Sequence, residues 1–279
     1  MAHNSASNPI GIFDSGVGGI SVLRAIHNRL PNESLIFVAD QANVPYGPRT
    51  LEQVRLFSES ITRFLLTQNS KIIVVACNTA SAAALMHLRQ TFPNIAFVGM
   101  EPAVKPAAEL SQTHVVGVLA TPATFQGALY ASVVERFAQG VTVLQQTCPG
   151  LVNQIEAGHL KSDETRAILN DALQPMLAQG VDTIVLGCTH FPFVIPLIQE
   201  IVGTKVNVID PAPAIARQVE RMLASQNLLQ RNPIPSSVNI MTTGNPQELK
   251  EVLPLLFDEK AEVSQACWNS HMQVTLQCT

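Results

Sequence analysis

Apolar residues fall along the chain in short uninterrupted runs, separated by longer segments in which they recur every three or four positions. The short runs, at 10–13, 35–39, 72–76, 96–99, 115–119, 141–144, 183–186 and 206–209, are rich in Val, Ile and Leu. Most lack the alternation of a half-exposed strand, so they predict strands buried on both faces. The segments at 20–29, 51–68, 80–90, 165–179 and 214–225 carry the helical period. The order strand, helix, strand, helix with continuously apolar strands predicts an α/β fold with mainly parallel sheets covered on both sides, the doubly wound architecture.

Two stretches of this pattern resemble each other. IIVVACNTASAAAL around Cys77 and TIVLGCTHFPFVIPL around Cys188 both read strand, cysteine, threonine, helix. Glu101 in FVGMEPAV has a counterpart in Asp210 of NVIDPAPAI, and Asp14 in GIFDSGVGG has one in Thr121 of GVLATPATF, all at nearly one separation. This predicts two pseudo-symmetric, flavodoxin-like lobes, residues 1–102 plus 214–279 forming one and 103–213 the other. Ligands of open α/β sheets bind at the carboxyl ends of the strands. The expected site is therefore a cleft between lobes with one cysteine on each wall. Residues 227–237, with two prolines, predict a loop.

The length of 279 residues agrees with two domains at roughly 150 residues each. With 17 basic and 21 acidic side chains the net charge is −4, which offers no basic excess for nucleic acid. No apolar run reaches the roughly 18 residues of a membrane span, and residues 1–9 lack the features of a secretory signal. A cytoplasmic location is expected, and a homodimer is the default assembly. There the five cysteines, at 77, 148, 188, 267 and 278, are expected as free thiols.

Cys77 and Cys188 each follow a buried strand and precede a helix, where unpaired backbone N–H groups and the helix dipole favour a thiolate. An ordinary thiol is only a few per cent ionised at pH 7, a deficit of about 2 kcal/mol. Asn78, Thr79, Thr189 and His190 beside them are short polar groups suited to a carboxylate or ammonium. Two facing thiols suit a disulfide, a shared zinc ion or proton transfer at carbon. A reducing compartment opposes the first. Cys-x-His spacing without any Cys-x-x-Cys opposes the second. In the third, a thiolate takes a proton from one face of a carbon while a thiol delivers one to the other, inverting the centre.

The loop Asp14-Ser15-Gly16-Val17-Gly18-Gly19, with Asp40 ending the next strand, partly mimics a dinucleotide-binding fingerprint. Ser21 stands where the third glycine belongs, and Asp14 would repel a pyrophosphate. For an amino-acid ligand, Asp14 meets an ammonium and Ser15 donates to an oxygen; helix capping would use the same residues. Tyr46 and Gly47, in the turn-rich Val44-Pro45-Tyr46-Gly47-Pro48, stand at the same edge and could cover a ligand.

Asp14-Ser15-Gly16, Pro45-Tyr46-Gly47, Cys77-Asn78-Thr79 and Cys188-Thr189-His190, with CPGLVNQIEAG and Thr242 to Gly244, resemble the glutamate racemases of the aspartate/glutamate racemase superfamily. The resemblance runs from about Pro9 to Phe257. It implies a cofactor-independent enzyme that makes D-glutamate for peptidoglycan, with Cys77 as the base toward D-glutamate and Cys188 toward L-glutamate. By the same resemblance Asp14, Ser15, Tyr46, Gly47, Asn78, Thr79, Thr189 and His190 bind substrate. Thr121 and Glu156 match positions that hold substrate or support His190. The segment after Phe257 lies outside the pattern.

Overall fold

The computed structural model describes residues 5–231 and 236–276. The chain begins β1 (Ile10–Asp14), α1 (Ile20–Arg29), β2 (Leu35–Ala39), α2 (Leu51–Thr67), β3 (Ile72–Val75), α3 (Asn78–Thr91), β4 (Phe97–Gly99). It continues α4 (Val104–Leu110), β5 (Val115–Ala120), α5 (Pro122–Gln126), α6 (Ala128–Phe137), β6 (Thr142–Gln146), α7 (Leu151–Glu156), α8 (Asp163–Leu177), β7 (Thr183–Gly187), α9 (Ile195–Val202), β8 (Asn207–Ile209) and α10 (Ala212–Ser225). Last come β9 (Val238–Thr242), α11 (Pro246–Leu256), β10 (Glu262–Gln265) and a small hairpin of β11 (Cys267–Trp268) and β12 (Val274–Thr275).

Ten of these strands form two parallel sheets. One runs β10-β9-β2-β1-β3-β4 and the other β6-β5-β7-β8. Without β9 and β10, the first sheet has the order second-first-third-fourth, and the second sheet repeats it. That order is the flavodoxin-like arrangement. It places β3 with Cys77 in the same position as β7 with Cys188, and β1 with Asp14 in the same position as β5 with Thr121.

The four central strands β1, β2, β3 and β7 are buried at every position, which is why their sequences are continuously apolar. β6, at an edge, is half-exposed and departs from the expected double burial. β9 and β10, absent from the apolar pattern, extend the first sheet from β2 outward, so the chain after α10 rejoins that sheet. In the expected loop 227–237, residues 232–235 lie outside the described residues, and the rest has no helix or strand. Cys267, expected as a free thiol, is disulfide-bonded. No helix among the described residues is long and apolar enough to cross a membrane.

At the amino ends of the first sheet, away from the site, Lys71 is fully buried. Its ammonium donates to Glu33 Oε2 at 2.5 Å and to the carbonyls of Ala6 and Leu228, while Glu33 Oε1 accepts Gln230 N at 2.8 Å. A buried ion pair survives by satisfying both partners, and losing one strands the other. Lys71→Met is therefore expected to lower stability by about 3–5 kcal/mol in urea denaturation. Lys71→Met with Glu33→Leu should recover much of the loss, whereas equal losses in both proteins would contradict this account.

Candidate active site

The carboxyl ends of the two sheets enclose a small cavity. Ser15, Tyr46, Gly47, Cys77, Asn78 and Thr79 line it from the first sheet's side, and Thr121, Cys188, Thr189 and His190 from the second. Ten of the twelve residues singled out in the sequence thus meet in one place, with Asp14 and Glu156 directly behind. The cavity measures about 20 Å³, room for about one water. A wider groove of about 460 Å³ adjoins it, sharing Pro45, Gly47, Thr121 and Val152.

On the first wall Cys77 is the N-cap of α3, its sulfur accepting from Ala80 N at 3.4 Å. The thiol faces Ser15 Oγ at 3.9 Å. Asp14, fully buried, accepts from Gly19 N at 2.5 Å, Thr189 Oγ1 at 3.2 Å and Ser15 Oγ at 3.4 Å. Burial raises the Asp14 pKa, although His190 and a hydrogen bond from Cys77 act in the opposite direction. Burial, followed by the Asp14 charge, pushes the Cys77 thiol well above its ordinary value, against the hydrogen bond from Ala80. The expectation of a thiolate favoured by the helix terminus is corrected here: desolvation and a neighbouring carboxylate outweigh one N–H dipole.

Asn78 sits beside Cys77, and neither its amide nitrogen nor its carbonyl oxygen finds a protein partner although both are buried. An unmet buried polar group costs about 1–3 kcal/mol, so these atoms are available to a ligand. Thr79 and Thr121 join their hydroxyls across the cavity at 2.9 Å, and Thr121 also caps α5.

On the second wall Cys188 Sγ lies 3.8 Å from His190 Nδ1, and His190 Nε2 lies 2.6 Å from Glu156 Oε1. Burial opposes charge on His190, but hydrogen bonds to Cys188 and Glu156 more than offset it and hold the imidazole pKa well above its ordinary value. These contacts favour the cationic form of the imidazole beside Cys188. The matching helix is displaced: a 3-10 turn at Phe191–Val194 follows His190, and α9 starts only at Ile195. Pro192 and Pro196, which lack N–H donors, stand in this stretch. The imidazole takes the place that a helix terminus occupies beside Cys77.

Glu156 also accepts Val17 N at 2.7 Å and Gln41 Nε2 at 2.9 Å. This explains the glycine loop. A Cβ on Gly16 would collide with the Glu156 carboxylate, and one on Gly18 with the His190 ring. The glycines make room for two side chains, not for a pyrophosphate. Asp40, the expected ribose partner of that alternative, is fully buried and committed to Tyr46 OH at 2.6 Å, Thr243 Oγ1 at 2.7 Å and Trp268 Nε1 at 2.7 Å. The Tyr46 hydroxyl is accordingly not free for a ligand. Ser21, the departure from the fingerprint, donates to Gly18 O and Thr189 O at 2.8 and 3.0 Å.

Val152 and Gln41 escaped the sequence reading, and Cys148 is expected there only as a free thiol, without a place at the site. Val152 forms wall between cavity and groove, and Cys148 is a buried free thiol lining the groove, with its pKa raised to about 12 by burial and then by Cys188. Cys148 stands in the quoted run CPGLVNQIEAG, which was the available signal. Among the described residues no group of three His, Cys, Asp or Glu side chains is placed to hold a metal ion.

Residues 10–219 match the family described as Asp/Glu/Hydantoin racemase. The glutamate racemase of Ectopseudomonas mendocina (strain ymp) is 48% identical over 93% of this chain and 98% of its own length. A solved glutamate racemase isoform from Bacillus anthracis superposes with TM-score 0.86 at 29% identity, covering 95% of this chain and 99% of that one. The glutamate racemase of Francisella tularensis, solved in complex with D-glutamate, gives TM-score 0.82 at 26% identity, covering 95% and 98%.

The contacts of Glu156 carry a direct prediction. In wild type, the His190 imidazole should titrate above the usual histidine range of about 6.5. Replacing the carboxylate by an amide in Glu156→Gln removes one cause, so the His190 midpoint should move down, read from ring-carbon NMR shifts against pH. An unmoved midpoint would show that Glu156 does not set the charge of His190.

Proposed function

The chain belongs to the Asp/Glu/Hydantoin racemase family and is an amino-acid racemase, and we propose that it interconverts L- and D-glutamate by a two-thiol proton transfer that supplies D-glutamate for peptidoglycan in the cytoplasm. The observation that carries this reading is the placement of Cys77 and Cys188 after equivalent strands, β3 and β7, on opposite walls of one cavity. A carbon bound between them has one sulfur on each face.

The surroundings of the two sulfurs differ in a way that suits L-glutamate. Cys77, buried beside Asp14, holds its proton, while Cys188 has a cationic imidazole at 3.8 Å. Cys188 as thiolate takes the α-proton of L-glutamate, and the Cys77 thiol returns a proton to the opposite face. In the D-to-L direction the roles and proton positions are exchanged. Asn78, with both polar atoms unmet, and the hydroxyls of Ser15, Thr79, Thr121 and Thr189 hold the substrate's carboxylate and ammonium groups. Glu156 supports His190. Asp14 anchors Thr189 and Gly19 and answers the ammonium.

A turnover of about 10 per second corresponds to a barrier of about 16 kcal/mol, so aimed dipoles in a site closed to water must stabilise the carbanion. No pyridoxal group is required, and Lys71 is at the far end of the sheet, enclosed by Glu33 and two carbonyls. The lobe division at 1–102 plus 214–279 against 103–213 belongs to the same reading. Its support is α10 lying on α1, with Arg29 bound to Glu220 at 2.5 Å.

Proton NMR of the purified protein with L-glutamate in D2O tests the reading. Wild type should exchange the α-proton and produce D-glutamate. Cys77→Ala and Cys188→Ala should each lose racemisation by about 10²–10⁴-fold, the usual worth of a positioned acid or base. A wild type that leaves glutamate unexchanged would overturn the substrate, and a racemising single-cysteine variant would overturn the two-thiol mechanism.

A further inference from the structure

The hairpin of β11 and β12 lies beyond the family match at 10–219, yet it reaches the substrate cavity through two side chains. Trp268 Nε1 donates to Asp40 Oδ1 at 2.7 Å, and Tyr46 OH donates to Asp40 Oδ2 at 2.6 Å. A second connection runs through rings: Trp268 meets Phe57 edge-on with centroids 5.6 Å apart, and Phe57 meets Tyr46 at 5.6 Å. The hairpin is itself fixed to α2, because Ser60 Oγ donates to Met272 O at 2.9 Å and accepts Val274 N at 3.2 Å. Tyr46 and Gly47 form cavity wall, and Gly47 also borders the outer groove.

We propose that Trp268 is a positioning residue for the racemase site, holding Asp40 and Phe57 so that residues 45–47 form the wall against which the substrate is bound. The inference rests on the glutamate reading. Asp40 is a buried carboxylate, so each donor on it carries weight, and charge-assisted hydrogen bonds are the stronger kind. Removing the indole N–H leaves one oxygen with Thr243 and Asn43 and loosens the anchor of the Tyr46 hydroxyl. The cavity is too small for glutamate as it stands, so binding requires this wall to move and re-form. A wall that closes less well weakens binding more than it alters the thiols.

The chain contains one tryptophan, so its fluorescence reports Trp268 alone. Titrating wild type with L- or D-glutamate should change the emission, saturating at the concentration where the rate saturates. Trp268→Phe, which keeps an aromatic ring against Phe57, should raise KM for both enantiomers at least about five-fold with kcat changed less than two-fold. In a cycle with Asp40→Asn the KM effects should be non-additive, because both changes act on one contact. A folded Trp268→Phe protein with wild-type KM overturns the proposal. Should that variant fail to fold, wild-type emission that ignores saturating glutamate overturns it instead. A wild type that does not racemise glutamate counts against the function itself and not against the role of Trp268.

Discussion

The Glu156 carboxylate binds groups from both sheets at once: His190 after β7, the Val17 amide after β1 and the Gln41 side chain after β2. A mostly buried carboxylate persists only if its lone pairs are met, and here three donors meet them. Much of the local sequence follows from that requirement. Positions 16 and 18 must be glycine because the carboxylate and the imidazole lie against their backbone. Ser21 then ties Gly18 to Thr189. The loop after β1 is thus shaped by the far wall of the cavity, and the two halves of the site cannot be specified independently.

Repetition of one strand order sets two sulfurs in equivalent positions, but it does not make them chemically equivalent. Backbone symmetry ends at the cysteines. Beyond Cys77 a regular helix starts at once, and a carboxylate stands behind it. Beyond Cys188 a 3-10 turn precedes the helix, and an imidazole held by Glu156 stands beside the sulfur. On the proposed two-thiol reading one sulfur carries the proton while the other does not, and it is these unequal neighbours, Asp14 beside Cys77 and His190 beside Cys188, that distinguish the two.

What the sequence reveals follows burial. Strands enclosed on both faces, such as 10–13 and 72–76, are continuously apolar and readable, and the chemistry at their ends comes with them. The edge strand β6 is half-exposed, and β9 and β10 mix polar with apolar residues, so their pattern is weak. Asp14, Cys77 and Cys188 are legible because each ends a clear strand. Glu156 is one of many glutamates on helix surfaces until His190 is placed against it, and only the family resemblance points to it. Trp268 and Asp40 are separated by most of the chain. Nothing local records that the last hairpin holds the loop at 45–47, because the contact is created by β9 and β10 carrying the chain back beside β2.

The balance of charge in the cavity bears on how an anionic amino acid is held by a protein of net charge −4. Neither lysine nor arginine lines the cavity. Burial moves Asp14 toward its neutral form, and Cys188 with Glu156 moves His190 toward its cationic form. On the proposed glutamate reading, the groups facing the substrate carboxylates are hydroxyls, the unmet Asn78 amide and the His190 imidazole. In a site closed to water such fixed dipoles act at low dielectric and need little reorganisation as charge shifts onto the α-carbon. Fixed lysines would hold the ground-state carboxylates as firmly as the carbanion, which would tighten binding without accelerating the reaction. A site made of dipoles, two thiols and one imidazole leaves more of its stabilisation for the charge that appears only during transfer.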